Sequence, residues 1–346
     1  YFKAIDVRLT KNITIPAEFI EEQFKRFNRY PMRQRFKTMA DYILEMAQIQ
    51  YRVTVSTPER NRLKKEIRNM FAGNNDIQVY RDFFEWAGAP EMFKMRRSHM
   101  LEYSDLAPLA YIHIALDGYK TRNSIKHLLI DEMQDYSPIQ YKVIQRIFPC
   151  RKTILGDACQ SVNPYGSSSA DMIQKVFVNG TVMKLCKSYR STFEITDLAQ
   201  NIYSNNELET VSRHGDKPQF LKMENKEAEI SAIADLIFDF KKSTYKSLGI
   251  ICKTESQSKD VADRLKSYTN DVHFLSNQSS DFMQGVVITS AHMAKGLEFD
   301  EVIVPQTNDD NYCSEIDRSM LYVAVTRAMH KLLLTYNGKI TSLIKF

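Results

Sequence analysis

The sequence lacks the features of membrane proteins and of small disulfide-bonded secreted proteins. No stretch approaches eighteen consecutive apolar residues, and the first residues, YFKAIDVRLTKN, contain no signal-peptide core. The five cysteines include no CxxC pair, so neither a disulfide framework nor a zinc site is expected. These absences favour a reducing, cytoplasmic environment and no membrane partner. An initiating Met is also lacking, and we expect the chain to be a segment of a longer protein.

A second absence is a phosphate-binding loop. The pattern GxxxxGK[ST], whose backbone amides and lysine hold nucleotide phosphates, occurs nowhere among the 346 residues, which contain 11 glycines. Strong charge is lacking too, since 47 Lys and Arg against 42 Asp and Glu give a formal net charge of +5. Such a balance permits a nucleic-acid partner without requiring one.

The pattern of apolar residues indicates an α/β protein with a mostly helical start. Between Pro16 and Gln50 the periodicity predicts two helices separated at Pro31. YRVTVS alternates like a strand, and Thr57-Pro58-Glu59 resembles the N-terminal cap of a further helix. Short apolar runs then recur between helical stretches, as in buried parallel strands: HLLI (127–130), KTIL (152–155), LGIIC (248–252), VVIT (286–289), EVIVP (301–305) and KLLLTY (331–336).

Two adjacent acids end the first of these runs. Asp131 and Glu132 follow HLLI directly, which is a Walker B arrangement in which the aspartate organises Mg²⁺ and the glutamate orients or deprotonates the attacking water. The next run, KTIL, leads into Gly156-Asp157-Ala158-Cys159-Gln160, where Gln160 is placed to sense a γ-phosphate. Acids at a strand-end turn can also be incidental, but Gln134 and Asp135 complete the pattern DExQD.

These segments resemble motifs II and III of the UvrD/Rep superfamily of helicase-like ATPases. The remaining motifs follow in order: KSYRST (187–192) resembles motif IV, TSAHMAKGLEFD (289–300) motif V, and YVAVTRA (322–328) motif VI. The resemblance implies RecA-like lobes of the P-loop NTPase fold, with ATP and Mg²⁺ as cofactors. It also implies that Arg190 of motif IV reaches the γ-phosphate and that Arg327 of motif VI acts as an arginine finger.

Motif V carries further candidates. The resemblance implies cofactor contacts from Lys295, Gly296 and Glu298, with Glu298 at the nucleotide ribose, and places His292 on the nucleic-acid side. Lys295 and His292 also fit a purely structural role. In the motif III loop, Tyr165 is positioned to stack on a base, a contact worth roughly 1–3 kcal/mol. This loop differs from that of DNA helicases, because it has Pro164 beside the tyrosine and lacks the Arg-Gly pair. The alternative role of Tyr165 is to anchor the loop.

The resemblance also implies a domain organisation. Residues 1–100 are expected to form the helical end of an insertion, residues 101–186 the remainder of a truncated first lobe, and residues 187–346 a complete second lobe. About a hundred residues separate motifs IV and V, too few for the large 2B domain that processive UvrD/Rep enzymes insert there.

Three functions remain open at the sequence level. Phrases such as DLAPLAYIHIALDG and AHMAKGLEFDEVIVP resemble the HelD branch, whose ATPases remodel RNA polymerase. The first rival is a UvrD-type helicase that unwinds duplex DNA, and the second is an ATP-independent binding scaffold. In each ATPase case the missing loop predicts that this chain alone is inactive.

Overall fold

The computed structural model describes residues 1–73, 75–95, 100–119, 121–163, 166, 169–204, 209–210, 212–276, 279 and 285–345. The chain folds into two compact units whose segments interleave along the sequence. Unit 1 comprises Tyr1–Ile130, Ser137–Ile154 and Lys175–Val178. Unit 2 comprises Asp131–Tyr136, Leu155–Gln174 and Asn179–Phe346, so it contains the DExQD turn, the segment with Gln160, and motifs IV, V and VI.

Helices account for most of unit 1 and alternate with strands in unit 2. The helices are α1 (Ala17–Arg26), α2 (Met32–Tyr51), α3 (Thr57–Asn69), α4 (Asp76–Trp86), α5 (Leu106–Asp117), α6 (Pro138–Ile147), α7 (Ala170–Val176), α8 (Phe193–Ile202), α9 (Lys226–Lys242), α10 (Glu255–Leu265) and α11 (Glu315–Val325). In the described part of the chain, none of them has the length and apolarity that a membrane crossing needs.

The described strands of unit 1 have two to four residues, and the longest strands belong to unit 2. They are β1 (Val7–Arg8), β2 (Thr14–Ile15), β3 (His127–Ile130), β4 (Arg151–Ile154), β5 (Lys187–Ser188), β6 (Glu209–Thr210), β7 (Gln219–Met223), β8 (Ser247–Cys252), β9 (Val272–Phe274), β10 (Gly285–Ser290), β11 (Phe299–Val304) and β12 (Ala328–Asn337).

The helical start of unit 1 agrees with the sequence pattern except at one segment. Pro31 separates α1 from α2 as predicted, because a proline ring cannot continue the preceding helix. The strand predicted at YRVTVS is wrong, since α2 extends to Tyr51 and an irregular connection follows it. α3 is capped one residue earlier than predicted: Ser56 and Glu59 form a capping box, a feature typically worth about 1 kcal/mol.

Unit 2 is built on a six-stranded sheet of order β7-β12-β11-β8-β10-β9. Each neighbouring pair in it is parallel. The four inner strands are apolar runs that the sequence predicts. The two edge strands, QFLKM and VHF, escaped prediction because an edge strand is partly exposed and tolerates polar residues.

Helices cover both faces of this sheet, which is why the inner strands are continuously apolar. Val287 belongs to one buried cluster with residues of α8 and α11, whereas Val286 and Ile288 belong to the opposite cluster with residues of α9 and α10. The predicted α/β class with parallel strands is therefore confirmed, and the layering is that of a RecA-like lobe.

Candidate active site

The turn after β3 carries the two acids of the DExQD segment. Asp131 is exposed, and its Oδ1 accepts the backbone N–H of Glu132 at 2.8 Å. Glu132 has φ 52° and ψ 52°, in the left-handed region that side chains other than glycine rarely adopt. Backbone strain of this kind concentrates at functional sites, where the surrounding structure enforces it.

Gln134 joins this turn to the segment that follows β4. Its side chain is fully buried, donates from Nε2 to Glu132 Oε2 at 2.5 Å, and accepts the N–H of Asp157 at 3.2 Å. Gly156 permits this approach, because a β-carbon there would lie 2.5 Å from Gln134 Oε1 and from the backbone nitrogen of Met133. Gln134 therefore holds the Glu132 carboxylate in one orientation.

Gln160 lies at the next step of the same network. Asp157 accepts hydrogen bonds from the Cys159 N–H and from Gln160 Nε2, each at 2.9 Å. With its amide nitrogen held in this way, Gln160 presents Oε1 to Arg327 Nη2 at 2.8 Å. The structure thus brings together Gln160 and Arg327, which the sequence places in separate motifs.

Arg327 is a buried cation held by neutral groups. It lies between α11 and β12 with 1% of its surface exposed. Besides Gln160, it donates to Val323 O at 3.2 Å, Leu297 O at 3.4 Å and Thr326 Oγ1 at 3.2 Å. None of these acceptors carries the negative charge that a buried guanidinium usually requires.

The electrostatic surroundings of Arg327 are unusual for an arginine. Burial, followed by the proximity of Arg190, lowers the pKa of Arg327 to about 10, while the carboxylates of Glu132, Glu298 and Asp157 act in the opposite direction. The guanidinium still remains protonated at neutral pH. A desolvated cation beside a second cation is an arrangement that a polyanion would stabilise.

Arg190 reaches the same place from the segment between β5 and α8. In the parallel pair of β11 and β12, Phe299 lies opposite Ala328, so Glu298 and Arg327, which precede these strands, are neighbours. Arg190 Nε lies 2.6 Å from Glu298 Oε1, and this ion pair is partly exposed. The arginines of motifs IV and VI therefore converge at the beginning of these two strands.

Lys295 and Gly296 belong to the connection between β10 and β11. Lys295 Nζ pairs with Asp135, and the lysine side chain is only 7% exposed. Gly296 has a φ of 75°, which explains glycine at this position. The ion pair ties the motif V connection to the DExQD turn.

Of the two candidates for nucleic-acid contact, His292 lies in the part of the chain that the structure describes. His292 is exposed in the turn that follows β10. Tyr165 lies outside the described residues, so its stacking role stays a prediction.

Comparison with known proteins decides the family. Residues 11–179 match the model of the UvrD/REP helicase N-terminal domain, and residues 183–279 and 267–339 match that of the UvrD-like helicase C-terminal domain. The chain belongs to the UvrD/Rep helicase family. That part of the resemblance is confirmed.

Similar UvrD/Rep proteins are considerably longer than this chain. It is 24% identical over 196 residues to the ATP-dependent DNA helicase PcrA of Leuconostoc citreum, covering 50% of this chain and 25% of that protein. Over 202 residues it is 27% identical to DNA helicase II of Haemophilus influenzae, covering 54% and 26%. The chain spans about a quarter of the length of these curated relatives.

One solved structure is similar to part of this chain. It is the C-terminal domain of a possible DNA helicase from Lactobacillus plantarum WCFS1. The identity is 32% and the TM-score 0.39, with 45% of this chain and 92% of that one covered.

The residues of this UvrD/Rep site fit Mg²⁺ and a nucleotide. Mg²⁺ in nucleotide sites is usually held by one or two carboxylates together with substrate phosphates, and Asp131 and Glu132 supply two carboxylates at a strand end. The paired arginines supply the charge complement of a triphosphate. These residues do not provide the backbone amides with which a phosphate-binding loop holds the nucleotide phosphates.

A separate group of possible metal ligands lies in unit 1. In the described residues, ligand atoms of Asp76, His113 and Asp117 lie within 4.8 Å of one another. However, Arg33 Nη1 donates to both carboxylate oxygens of Asp117 at 2.7 Å, and His113 Nδ1 lies 2.9 Å from Asp76. The group is satisfied internally as an ion-pair cluster.

Sequence reasoning missed two parts of the site. Asp157 orients Gln160, and Arg213 contacts the backbone of Arg190 at 3.2 Å. Asp157 stood within the motif III segment, so its adjacency to Gln160 was a usable signal. No motif surrounds Arg213, and only the fold brings it to Arg190.

The Lys295–Asp135 pair gives a prediction for stability. Lys295→Met is expected to lower the free energy of unfolding by about 1–3 kcal/mol, because the partly buried carboxylate of Asp135 loses its cation. Urea unfolding measures the change. Lys266→Met is the control, since Lys266 forms an exposed ion pair with Asp263 at the end of α10 and its replacement should leave stability nearly unchanged. Equal behaviour of the two variants would contradict the role given to Lys295.

Proposed function

We propose that this chain is the part of a DNA-acting, ATP-dependent helicase motor that senses the nucleotide and completes its catalytic site. The observation that carries the proposal is Arg327, a buried cation with neutral hydrogen-bond partners and a second arginine beside it. Such an arrangement is costly unless a polyanion enters. The triphosphate of ATP is the polyanion that the surrounding motifs imply.

Each site residue has a role in this proposal. Asp131 holds Mg²⁺, and Glu132, oriented by Gln134, accepts a proton from the attacking water. Gln160 contacts the γ-phosphate and transmits its presence to Arg327, its hydrogen-bond partner. Arg190 and Arg327 stabilise charge that develops on the transferred phosphoryl group.

The motif V residues are assigned to nucleotide and DNA in the same proposal. Glu298 contacts the ribose, and the ion pair with Arg190 makes it responsive to the nucleotide. Lys295 and Gly296 shape the adjoining connection, where the lysine acts through Asp135. His292, exposed in this turn, faces the DNA strand.

The domain division belongs to the proposal as well. Residues 1–100 form the end of an insertion, 101–186 the remainder of the first RecA-like lobe, and 187–346 the second lobe. The boundary between the two matched family domains, at 179–183, supports the second division. An incomplete first lobe is supported by the sheet of β3 and β4, which has two parallel strands in the described residues and leaves Leu129 64% exposed, whereas parallel sheets are normally covered.

A second candidate is an RNA polymerase-remodelling ATPase of the HelD type. Its support is the interval between motifs IV and V, where the described residues form α8 to α10 and β6 to β10 within unit 2. No separate domain of the 2B kind occupies that described interval. Binding of RNA polymerase without strand separation would favour this candidate over a DNA helicase.

The ATP-independent scaffold is disfavoured by the same geometry. A scaffold gains nothing from a strained Glu132 or from a desolvated arginine, both of which cost free energy.

The proposal is tested by ATP turnover with and without a phosphate-binding loop. The 346-residue chain is expected to show no hydrolysis above background, and the protein that also carries the loop is expected to hydrolyse ATP when single-stranded DNA is added. In that protein Glu132→Gln should lower turnover by about 10²- to 10⁴-fold, the usual contribution of a general base. Glu224→Gln, at an exposed position, is the control. Steady turnover by the 346-residue chain, abolished by Glu132→Gln, would overturn the proposal.

A further inference from the structure

The backbone of the Arg190 segment is held by a residue that no motif contains. Arg213 Nη1 donates to the carbonyl oxygen of Arg190 at 3.2 Å. In the other direction, the N–H of Phe193, the first residue of α8, donates to the carbonyl oxygen of Arg213 at 2.8 Å. Two hydrogen bonds thus join Arg213 to the segment from Arg190 to Phe193.

The same guanidinium extends to the beginning of β12. Arg213 Nη2 donates to Met329 O at 3.3 Å and to His330 Nδ1 at 2.8 Å. Because a guanidinium only donates, this contact requires the tautomer of His330 in which Nδ1 accepts and Nε2 carries the proton. One side chain therefore links the motif IV segment to the strand that follows Arg327.

His330 is itself held in place from two sides. Its ring stacks on Tyr245 with the centroids 5.3 Å apart, and its Nε2 lies 3.8 Å from Asp300 Oδ1. The other oxygen of Asp300 accepts the backbone N–H groups of Lys246 and Ser247 at 2.8 and 2.9 Å. Asp300 is thereby fixed to the beginning of β8, and the ring of His330 has little freedom to turn.

These contacts close a ring around Arg190. Glu298 directly precedes β11, and Asp300 is the second residue of that strand. Glu298 pairs with the Arg190 side chain, whereas Asp300 reaches the Arg190 backbone through His330 and Arg213. The side chain and the backbone of Arg190 are therefore both linked to the beginning of β11.

We infer that Arg213 is a positioning residue that fixes the backbone of Arg190, so that the Arg190 guanidinium is directed at the γ-phosphate before the nucleotide binds. The inference rests on the proposed function, since it concerns an arginine to which that proposal gives a catalytic role. The physical reason is entropy: the Arg190 side chain is partly exposed, and a mobile backbone would add to the rotamer freedom that must be lost in the transition state.

Arginine is the residue type that this position requires. Nη1 donates to one carbonyl oxygen, whereas Nη2 donates to a second carbonyl oxygen and to the ring of His330. A planar guanidinium offers separate donors in a fixed geometry, whereas the ammonium of lysine is a compact point charge.

The first experiment tests position in the 346-residue chain, without ATP. Nitrogen-15 NMR reports the tautomer of His330 and the solvent exchange of the Arg190 Nε–H, which is assigned by its loss in Arg190→Lys. In the wild type we expect the Nε2–H tautomer and slow exchange. Arg213→Ala should redistribute the tautomers and speed exchange about tenfold, the factor that corresponds to about 1.4 kcal/mol. Arg213→Lys should do the same if the alanine variant fails to fold.

The control is Arg318→Ala. Arg318 also bridges two carbonyl oxygens in unit 2, those of Ile202 at 2.8 Å and Leu343 at 3.2 Å. Its loss should lower stability and leave the signals of Arg190 and His330 unchanged. If Arg318→Ala speeds Arg190 exchange as much as Arg213→Ala does, the inference is wrong, because general loosening explains both.

The second experiment measures turnover in the protein that carries the phosphate-binding loop. Arg213→Ala should lower kcat about tenfold with little change in the KM for ATP, and should add nothing in an Arg190→Ala background. An equal loss in both backgrounds would overturn the positioning role. If Arg190→Ala itself retains full turnover, the proposed function fails, whereas the NMR result still decides whether Arg213 fixes Arg190.

Discussion

Arg190→Ala is expected to lower ATP turnover about 10³-fold or more in the protein that carries the phosphate-binding loop, while ATP affinity stays nearly unchanged. Arginines that stabilise the charge of phosphoryl transfer supply about 10³ to 10⁵ in rate, and they act mainly on the transition state. The fold should tolerate the change, because the side chain is 37% exposed and its ion pair with Glu298 is partly exposed as well.

Three measurements on the same variant separate catalysis from folding: nucleotide affinity, turnover and thermal stability. Arg264→Ala is the matched control, since Arg264 is an exposed arginine of unit 2 that pairs with Asp260 and Glu227. It should leave turnover unchanged. A fall in melting temperature of Arg190→Ala with full turnover per folded molecule would show that Arg190 only supports the structure.

Much of unit 2 could be predicted because its inner strands are buried on both faces. Continuous apolar runs such as LGIIC and EVIVP are typical of strands in a parallel sheet that helices cover on both faces, so their positions are visible in the sequence. YRVTVS illustrates the opposite case. Its alternation fits a strand, but no strand in the described part of the chain pairs with it, and α2 continues to Tyr51 instead.

The site could be predicted only as far as its motifs reach. Asp131, Glu132, Gln160 and the two arginines follow strands and helices in a fixed order, which the sequence preserves. The contacts that hold them depend on approaches between distant segments, such as Lys295 with Asp135 and Arg213 with Arg190. Neither pair leaves a local pattern, because charged residues are common in any sequence and their partners are chosen by the fold.

The second large effect concerns Arg327, where burial makes alanine an ambiguous test. Arg327→Ala removes four hydrogen bonds and leaves a cavity where the arginine side chain was. A loss of activity in this variant would not show whether a catalytic group or the folded structure had been lost. Arg327→Met is the sharper variant. Methionine fills a similar volume, and replacing a buried charge by an apolar side chain is often tolerated.

We therefore expect the free energy of unfolding of Arg327→Met to lie within about 2 kcal/mol of the wild-type value. The reason is that burial and the neighbouring Arg190 make this cation costly when no nucleotide is bound, a cost that methionine does not carry. In the protein that carries the phosphate-binding loop, the ATP turnover of Arg327→Met should fall about 10³-fold or more. Calorimetry and steady-state kinetics on one preparation provide both numbers. Full turnover in a folded Arg327→Met protein would mean that the buried arginine serves packing alone, and the assignment of motif VI to catalysis would have to be abandoned.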